Sequence, residues 1–239
     1  MAGARPTVLL TRPEPASRRF AEALRSRLGE LRVVISPVTR TAFRAPDLPD
    51  RDFAGLVFTS ENAVTGFCRL SPRRDIHAWC VGERTAGAAR KEGFAVTRGP
   101  GDGAALAEAM IAAAVPGPVL WPHGADMAFD IAERLNSAGV ETVSAVVYEQ
   151  EGLPPTAEAQ ALLSGSVPVL LPLFSARSAR LVVDWARGSS APFSVAAMSE
   201  AVARASEPLA AGNLVVAERP DAEAMLDAIG ALIDAADAP

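Results

Sequence analysis

Apolar residues fall into two alternating arrangements along the chain. Short unbroken runs such as TVLL at Thr7–Leu10 and GLVF at Gly55–Phe58 show no polar alternation, which predicts strands buried on both faces. Comparable runs stand at 32–36, 78–81, 94–97, 118–121, 140–149, 167–174, 193–198 and 213–218. Between them lie stretches with helical spacing. EPASRRFAEALRSRL at Glu14–Leu28 places Phe20, Ala21, Leu24 and Leu28 on one face, as an amphipathic helix requires. Further helices are predicted over Glu83–Lys91, 104–113 and 127–138, with Gly93 and Gly139 placed to end two of them. FRAPDLPDRD at 43–52 reads as a Pro- and Asp-rich connector. Buried strands that each lead into a helix predict an α/β fold with parallel sheets covered on both faces.

The pattern also repeats. TVLLTRPE from Thr7 matches PVLWPHGA from Pro118, and GLVFTSENAV matches VLLPLFSARSA, which sets Ser60 against Ser175. CVGERTAGAA resembles AAMSEAVARA, and GDGAALAEAM resembles ERPDAEAMLDAI. The order of elements agrees throughout, so the expectation is two similar doubly wound halves related by pseudo-two-fold symmetry.

Composition narrows the class. The 239 residues are 49% hydrophobic and 21% charged, which is globular rather than disordered. The net charge of −5 comes without a Lys/Arg block, which argues against a nucleic-acid partner. Cys68 and Cys80 have no second Cys or His at ligand spacing, so they read as buried thiols and no metal is expected. The N-terminal apolar core is short and broken by Arg and Pro, unlike a secretory signal. The long uncharged stretch at 109–125 holds Pro116, Pro118 and Pro122, which excludes it as a membrane helix. A cytoplasmic protein without a membrane partner is the expectation.

Candidate chemistry lies where strands give way to helices. In open parallel sheets, ligands bind outside the carboxyl ends of the strands. The first N–H groups of a helix there lack partners and favour anions. The turns that qualify carry Arg12; Thr59, Ser60 and Asn62; Gly82 and Thr85; His123 and Gly124; and Ser175, Arg177 and Ser178. Each hydroxyl taken alone could merely cap a helix. Five polar turns along matched edges point further, to a bound polyanion. There is no Walker-type phosphate loop, no Gly-x-Gly-x-x-Gly after a strand and no Gly-x-Ser-x-Gly. His77 and His123 are the only histidines, and Tyr148 is the only tyrosine.

VLLTRPEP, GLVFTSENAV, CVGERTAGAARKEGF, VLWPHGADMAFDIAERLNSAGVETVSAVVYE and FSARSARLV, in this order, together resemble the uroporphyrinogen-III synthase family. The resemblance spans essentially the whole chain. It implies closure of the linear tetrapyrrole hydroxymethylbilane to uroporphyrinogen III, with loss of water and inversion of ring D, without cofactor or metal. It further implies an interlaced architecture, with residues 1–36 and 150–239 in one domain and 37–149 in the other. Hinge strands are expected near 33–40 and 143–150, with the substrate held at a cleft between mobile domains. Carried over by position, the resemblance marks Tyr148 and Thr85 as catalytic: Tyr148 matches the tyrosine that assists hydroxyl departure and Thr85 the threonine of Val-Gly-x-x-Thr-Ala, while Ser60 and Ser175 match paired serines. The linear tetrapyrrole polycarboxylate is the expected partner of a monomer.

The chain departs from the family pattern in three places. Ala201 and Val202 stand at two threonine positions, Phe174 stands where Phe-Thr-Ser would place threonine, and His123 stands where arginine is common. These departures keep a second reading open, a non-catalytic two-domain module that binds or senses a tetrapyrrole or another small polyanion. A nucleotide-sugar transferase is disfavoured by the missing phosphate loop.

Overall fold

The computed structural model describes residues 5–237. The first four residues, part of the N-terminal stretch read above against a signal sequence, and the last two lie outside the described residues. The chain opens with β1 (Thr7–Leu10), α1 (Glu14–Leu28), β2 (Val33–Ile35) and β3 (Thr39–Phe43). It continues through β4 (Gly55–Phe58), α2 (Glu61–Leu70), β5 (Ala78–Cys80), α3 (Glu83–Lys91), β6 (Val96–Arg98) and α4 (Gly103–Ala112). Next come β7 (Val119–Gly124), α5 (Ile131–Ser137), β8 (Thr142–Gly152), α6 (Ala157–Leu163), β9 (Val169–Leu173) and α7 (Ala176–Trp185). The last elements are β10 (Phe193–Ala197), α8 (Glu200–Ser206), β11 (Asn213–Val216) and α9 (Ala222–Asp237).

These elements form two compact units. One comprises Met1–Arg40 with Gly152–Pro239, and the other Thr41–Glu151. The first holds a sheet of order β11-β10-β9-β1-β2 and the second a sheet of order β3-β8-β7-β4-β5-β6. Every pairing in the first sheet is parallel, as are those from β8 through β6 in the second. Under the internal repeat read from sequence, β9, β10 and β11 correspond to β4, β5 and β6, and β1 and β2 to β7 and β8. The two orders then coincide, apart from the edge strand β3. The same layout is reached by two routes. One unit meets β1–β2 first in the chain, and the other meets β7–β8 last.

Both sheets are covered on both faces. In β1, Leu9 packs into one apolar cluster, while Val8 and Leu10 pack into the other. In β4, Leu56 and Phe58 face one cluster and Val57 the other. Four consecutive buried residues in each strand explain why no polar alternation was visible. Helix α1 buries Phe20, Ala21 and Leu24 as its spacing demands, and the chain leaves it through Gly29 at φ 79°. That left-handed conformation suits glycine.

Several predicted bounds shift. The helix expected over 127–138 begins only at Ile131, because the Asp130 carboxylate caps it by accepting from the Glu133 N–H at 2.9 Å. The strand expected to stop at Trp121 runs on to Gly124, so His123 and Gly124 lie on a strand and not in a turn. Pro122 is tolerated because the pairing of β7 with β4 extends only to Leu120. The strand expected at 94–97 lies at Val96–Arg98. The hinge region expected as one strand near 33–40 holds two, β2 and β3, in different sheets.

Candidate functional site

Each sheet has one place where successive connections diverge. In the first unit it lies between β1 and β9; in the second, between β4 and β7. Such switch points leave a crevice at the carboxyl ends of the strands, where ligands of open α/β sheets bind.

At the switch point of the second unit, β4 ends at Phe58 and Ser60 caps α2, its Oγ accepting from the Ala63 N–H at 3.1 Å. The same Oγ lies 3.0 Å from the Tyr148 Oη. Tyr148 reaches it because the register between β7 and β8 slips. His123 pairs with Val146, and then Gly124 pairs with Tyr148. The phenol ring rests on Gly124, where an added Cβ would lie 2.6 Å from Cζ and 2.8 Å from Oη. Thr59, Ser60, His123, Gly124 and Tyr148 all line one cavity of about 390 Å³, with Trp121 in its wall. The exposed side chains of Met127 and Phe129 also line it.

The other candidates of this unit lie around that cavity rather than in its wall. Gly82 caps α3 without a side-chain hydrogen bond, so the first N–H groups of that helix have no capping side chain. Thr85, one turn into α3, is buried. Asn62 reaches toward the Thr41 hydroxyl at 3.5 Å. Glu61 pairs with Arg84, which offsets the acid at the start of α2.

At the switch point of the first unit, the Ser17 hydroxyl donates to the Arg12 carbonyl at 2.8 Å and fixes the turn after β1. The Arg12 guanidinium lies 4.2 Å from the centroid of Phe174. Phe174 in turn meets Phe20 edge to face at 5.0 Å. Ser175 caps α7 by accepting from the Ser178 N–H at 3.1 Å, and its hydroxyl donates to the Ser178 Oγ at 2.9 Å. Arg177 occupies the first turn of the same helix. Val202, at a threonine position of the family, is 3% exposed within an apolar cluster. A hydroxyl there would be buried among carbon atoms, so valine fits the site as built.

Sequence reasoning missed Ser144 and Trp121. The Ser144 hydroxyl lies 2.6 Å from the His123 Nε2, and the His123 ring stacks on Trp121 with centroids 4.1 Å apart. Ser144 and Val146 alternate with the buried Ala145 and Val147 along β8, and that alternation was the available signal for Ser144. Among the described residues no group of three or more His, Cys, Asp or Glu could hold a metal, and no helix is long and apolar enough to cross a membrane.

Comparison with solved structures shows the same fold. The chain is similar to uroporphyrinogen-III synthetase from Helicobacter pylori, with 18% identity and a TM-score of 0.65 over 95% of this chain and 99% of that one. It is also similar to a mutant uroporphyrinogen III synthase from Thermus thermophilus, with 15% identity and a TM-score of 0.50 over 96% and 99%. Comparison with curated proteins gives no match. The family HEM4, described as uroporphyrinogen-III synthase HemD, matches residues 18–227. That match takes in Ser60, Gly124 and Tyr148, and it spans most of the chain; the chain belongs to the uroporphyrinogen-III synthase family of cyclising lyases in haem biosynthesis.

Proposed function

We propose that this lyase closes hydroxymethylbilane to uroporphyrinogen III with Tyr148 as the hydrogen donor to the departing hydroxyl. The contact between the Ser60 Oγ and the Tyr148 Oη at 3.0 Å carries the reading. The Ser60 oxygen already accepts from Ala63. Its own hydrogen is free to go to the phenol oxygen, which leaves the phenol hydrogen for the substrate. The C–O bond then breaks, and the hydroxyl leaves as water. The freed carbon is attacked by the substituted carbon of ring D; the resulting spiro centre breaks its older bond to the bridging methylene, that methylene rejoins ring D at its unsubstituted carbon, and the proton lost there restores the phenol.

Closure without inversion proceeds unaided and gives the type I isomer. The task is therefore to hold the chain of rings so that the substituted carbon meets the ring A carbon. Positioning of this kind supplies several kcal/mol of rate enhancement. Carboxylates of the substrate are taken by backbone N–H groups at helix starts, and α3 behind Gly82 is one that carries no side-chain cap. Arg12, Asn62, Ser175, Arg177 and Ser178 add polar contacts, and Thr85, in the first turn of α3, is the second catalytic residue beside Tyr148. An acidic protein holds a polycarboxylate this way without a basic surface. The protein acts as a monomer on this small molecule, in the cytoplasm and without a nucleic-acid partner.

The test is an isomer assay. Freshly made hydroxymethylbilane is added, the products are oxidised to porphyrins, and types I and III are separated. Predominantly type III is expected. Type I alone, at the rate seen without protein, refutes the proposal and leaves a binding module.

A further inference from the structure

We infer that His123 and Ser144 are positioning residues for Tyr148, and that the His123 imidazole gives no hydrogen bond to substrate; this rests on the reading of Tyr148 as the donor. From sequence, His123 belonged among the substrate contacts. In the structure it is 2% exposed, and both ring nitrogens are engaged. Nδ1 lies 2.7 Å from the Gly124 carbonyl oxygen. A carbonyl only accepts, so Nδ1 carries the hydrogen. In the neutral ring Nε2 then accepts from the Ser144 hydroxyl at 2.6 Å. The face of the ring lies against Trp121, with 25° between the planes. No polar atom of His123 is left over for a ligand.

What His123 holds is the carbonyl of Gly124, and Gly124 sits where the strand register slips. Val147 has no partner in the ladder between the pairs His123–Val146 and Gly124–Tyr148. An extra residue on one strand bends it and re-aims the side chains beyond. Here the slip sets Tyr148 opposite the one residue type whose missing Cβ leaves room for its ring. On the other side of that residue, the Tyr148 carbonyl accepts from the Ala125 N–H at 2.9 Å. The connection thus runs from the Ser144 hydroxyl through the imidazole to the Gly124 carbonyl, the register slip, the phenol ring and Ser60.

Two readouts separate this from a merely structural role. Tyr148 is the only tyrosine, so protein labelled with carbon-13 in the tyrosine ring reports one residue by NMR. In Ser144→Ala, kcat for type III formation is expected to fall about tenfold with KM little changed, and the tyrosine signal to move. Ser144→Thr keeps the hydroxyl and is expected to restore both. Gly124→Ala pushes the ring aside, and a displacement near 1 Å lowers kcat by about 100-fold. A rise in KM for Ser144→Ala with kcat intact would overturn the inference, because it marks a substrate contact. An unmoved tyrosine signal would overturn it as well. If the unaltered protein forms no type III isomer, the reading of Tyr148 as donor fails. The NMR response to Ser144→Ala still decides the positioning claim by itself.

Discussion

The two switch points share a strand layout and differ in what they present. In the second unit the capping serine hands its oxygen on to a phenol, so Ser60 serves both the helix and Tyr148. In the first unit the corresponding Ser175 turns back to Ser178. The residue before it is an aromatic that carries a guanidinium on its face. One edge thus offers a chain of hydroxyls in a cavity, the other a fixed positive charge. Under the proposed function the first property serves release of the hydroxyl and the second serves binding of a carboxylate, on two sheets of the same strand order. Ala201 and Val202 belong to the charge-bearing unit, and Val202 packs into its core.

The division can be broken by substitution. The largest effect is expected for Tyr148→Phe, which removes the donor and keeps the ring; the rate of type III formation should fall by about 100-fold or more, with stability unchanged in thermal melts. Ser60→Ala should follow. The lost contact to the phenol lowers kcat by about tenfold, and the lost cap destabilises α2 by about 1 kcal/mol in denaturant titration. Arg12→Lys keeps the charge but loses the flat stacked fork, so steady-state kinetics should show KM rising about fivefold with kcat little altered. Ser175→Ala should remove about 1 kcal/mol of stability and change KM less than the Arg12 substitution does. If Ser175→Ala lowered kcat as much as Ser60→Ala, the two edges would not differ in the way described.

The smallest response is expected from the thiols of the second unit. Burial pushes Cys80 up to about 12 and Cys68 to about 11. Both therefore stay protonated and poorly nucleophilic at pH 8. Iodoacetamide should leave them unmodified in the folded protein, as mass spectrometry would show. Cys68 lies on α2, which Ser60 caps. Faster labelling of Cys68 in Ser60→Ala would trace that variant's rate loss to helix fraying rather than to the phenol contact.

Much of the fold was legible because its strands are unbroken apolar runs bounded by polar turns. β1, β4, α1 and α3 lie where the pattern places them. The internal repeat foretold the shared strand order, although its two halves are permuted in the chain. The start of α5 was misplaced because Met127 and Phe129 continue the apolar period while remaining outside the helix and exposed. The site was legible as a set of strand ends and not as an arrangement. Nothing in the letters counts the residues on either side of a ladder, so the slip that brings Tyr148 to Gly124 left no trace. His123 stands among the expected substrate contacts because of its position at a strand end, and it lines the cavity. Its two internal partners, one of them twenty-one residues away, depend on the pairing of β7 with β8.

The most direct measurement compares the unaltered protein with Tyr148→Phe in the isomer assay, under identical supply of hydroxymethylbilane. The account predicts mostly type III porphyrin from the first. From the second it predicts a shift toward type I, as slowed enzymatic closure loses to the uncatalysed reaction. Equal type III yields and rates from both proteins would contradict it, and would remove the phenol from the chemistry.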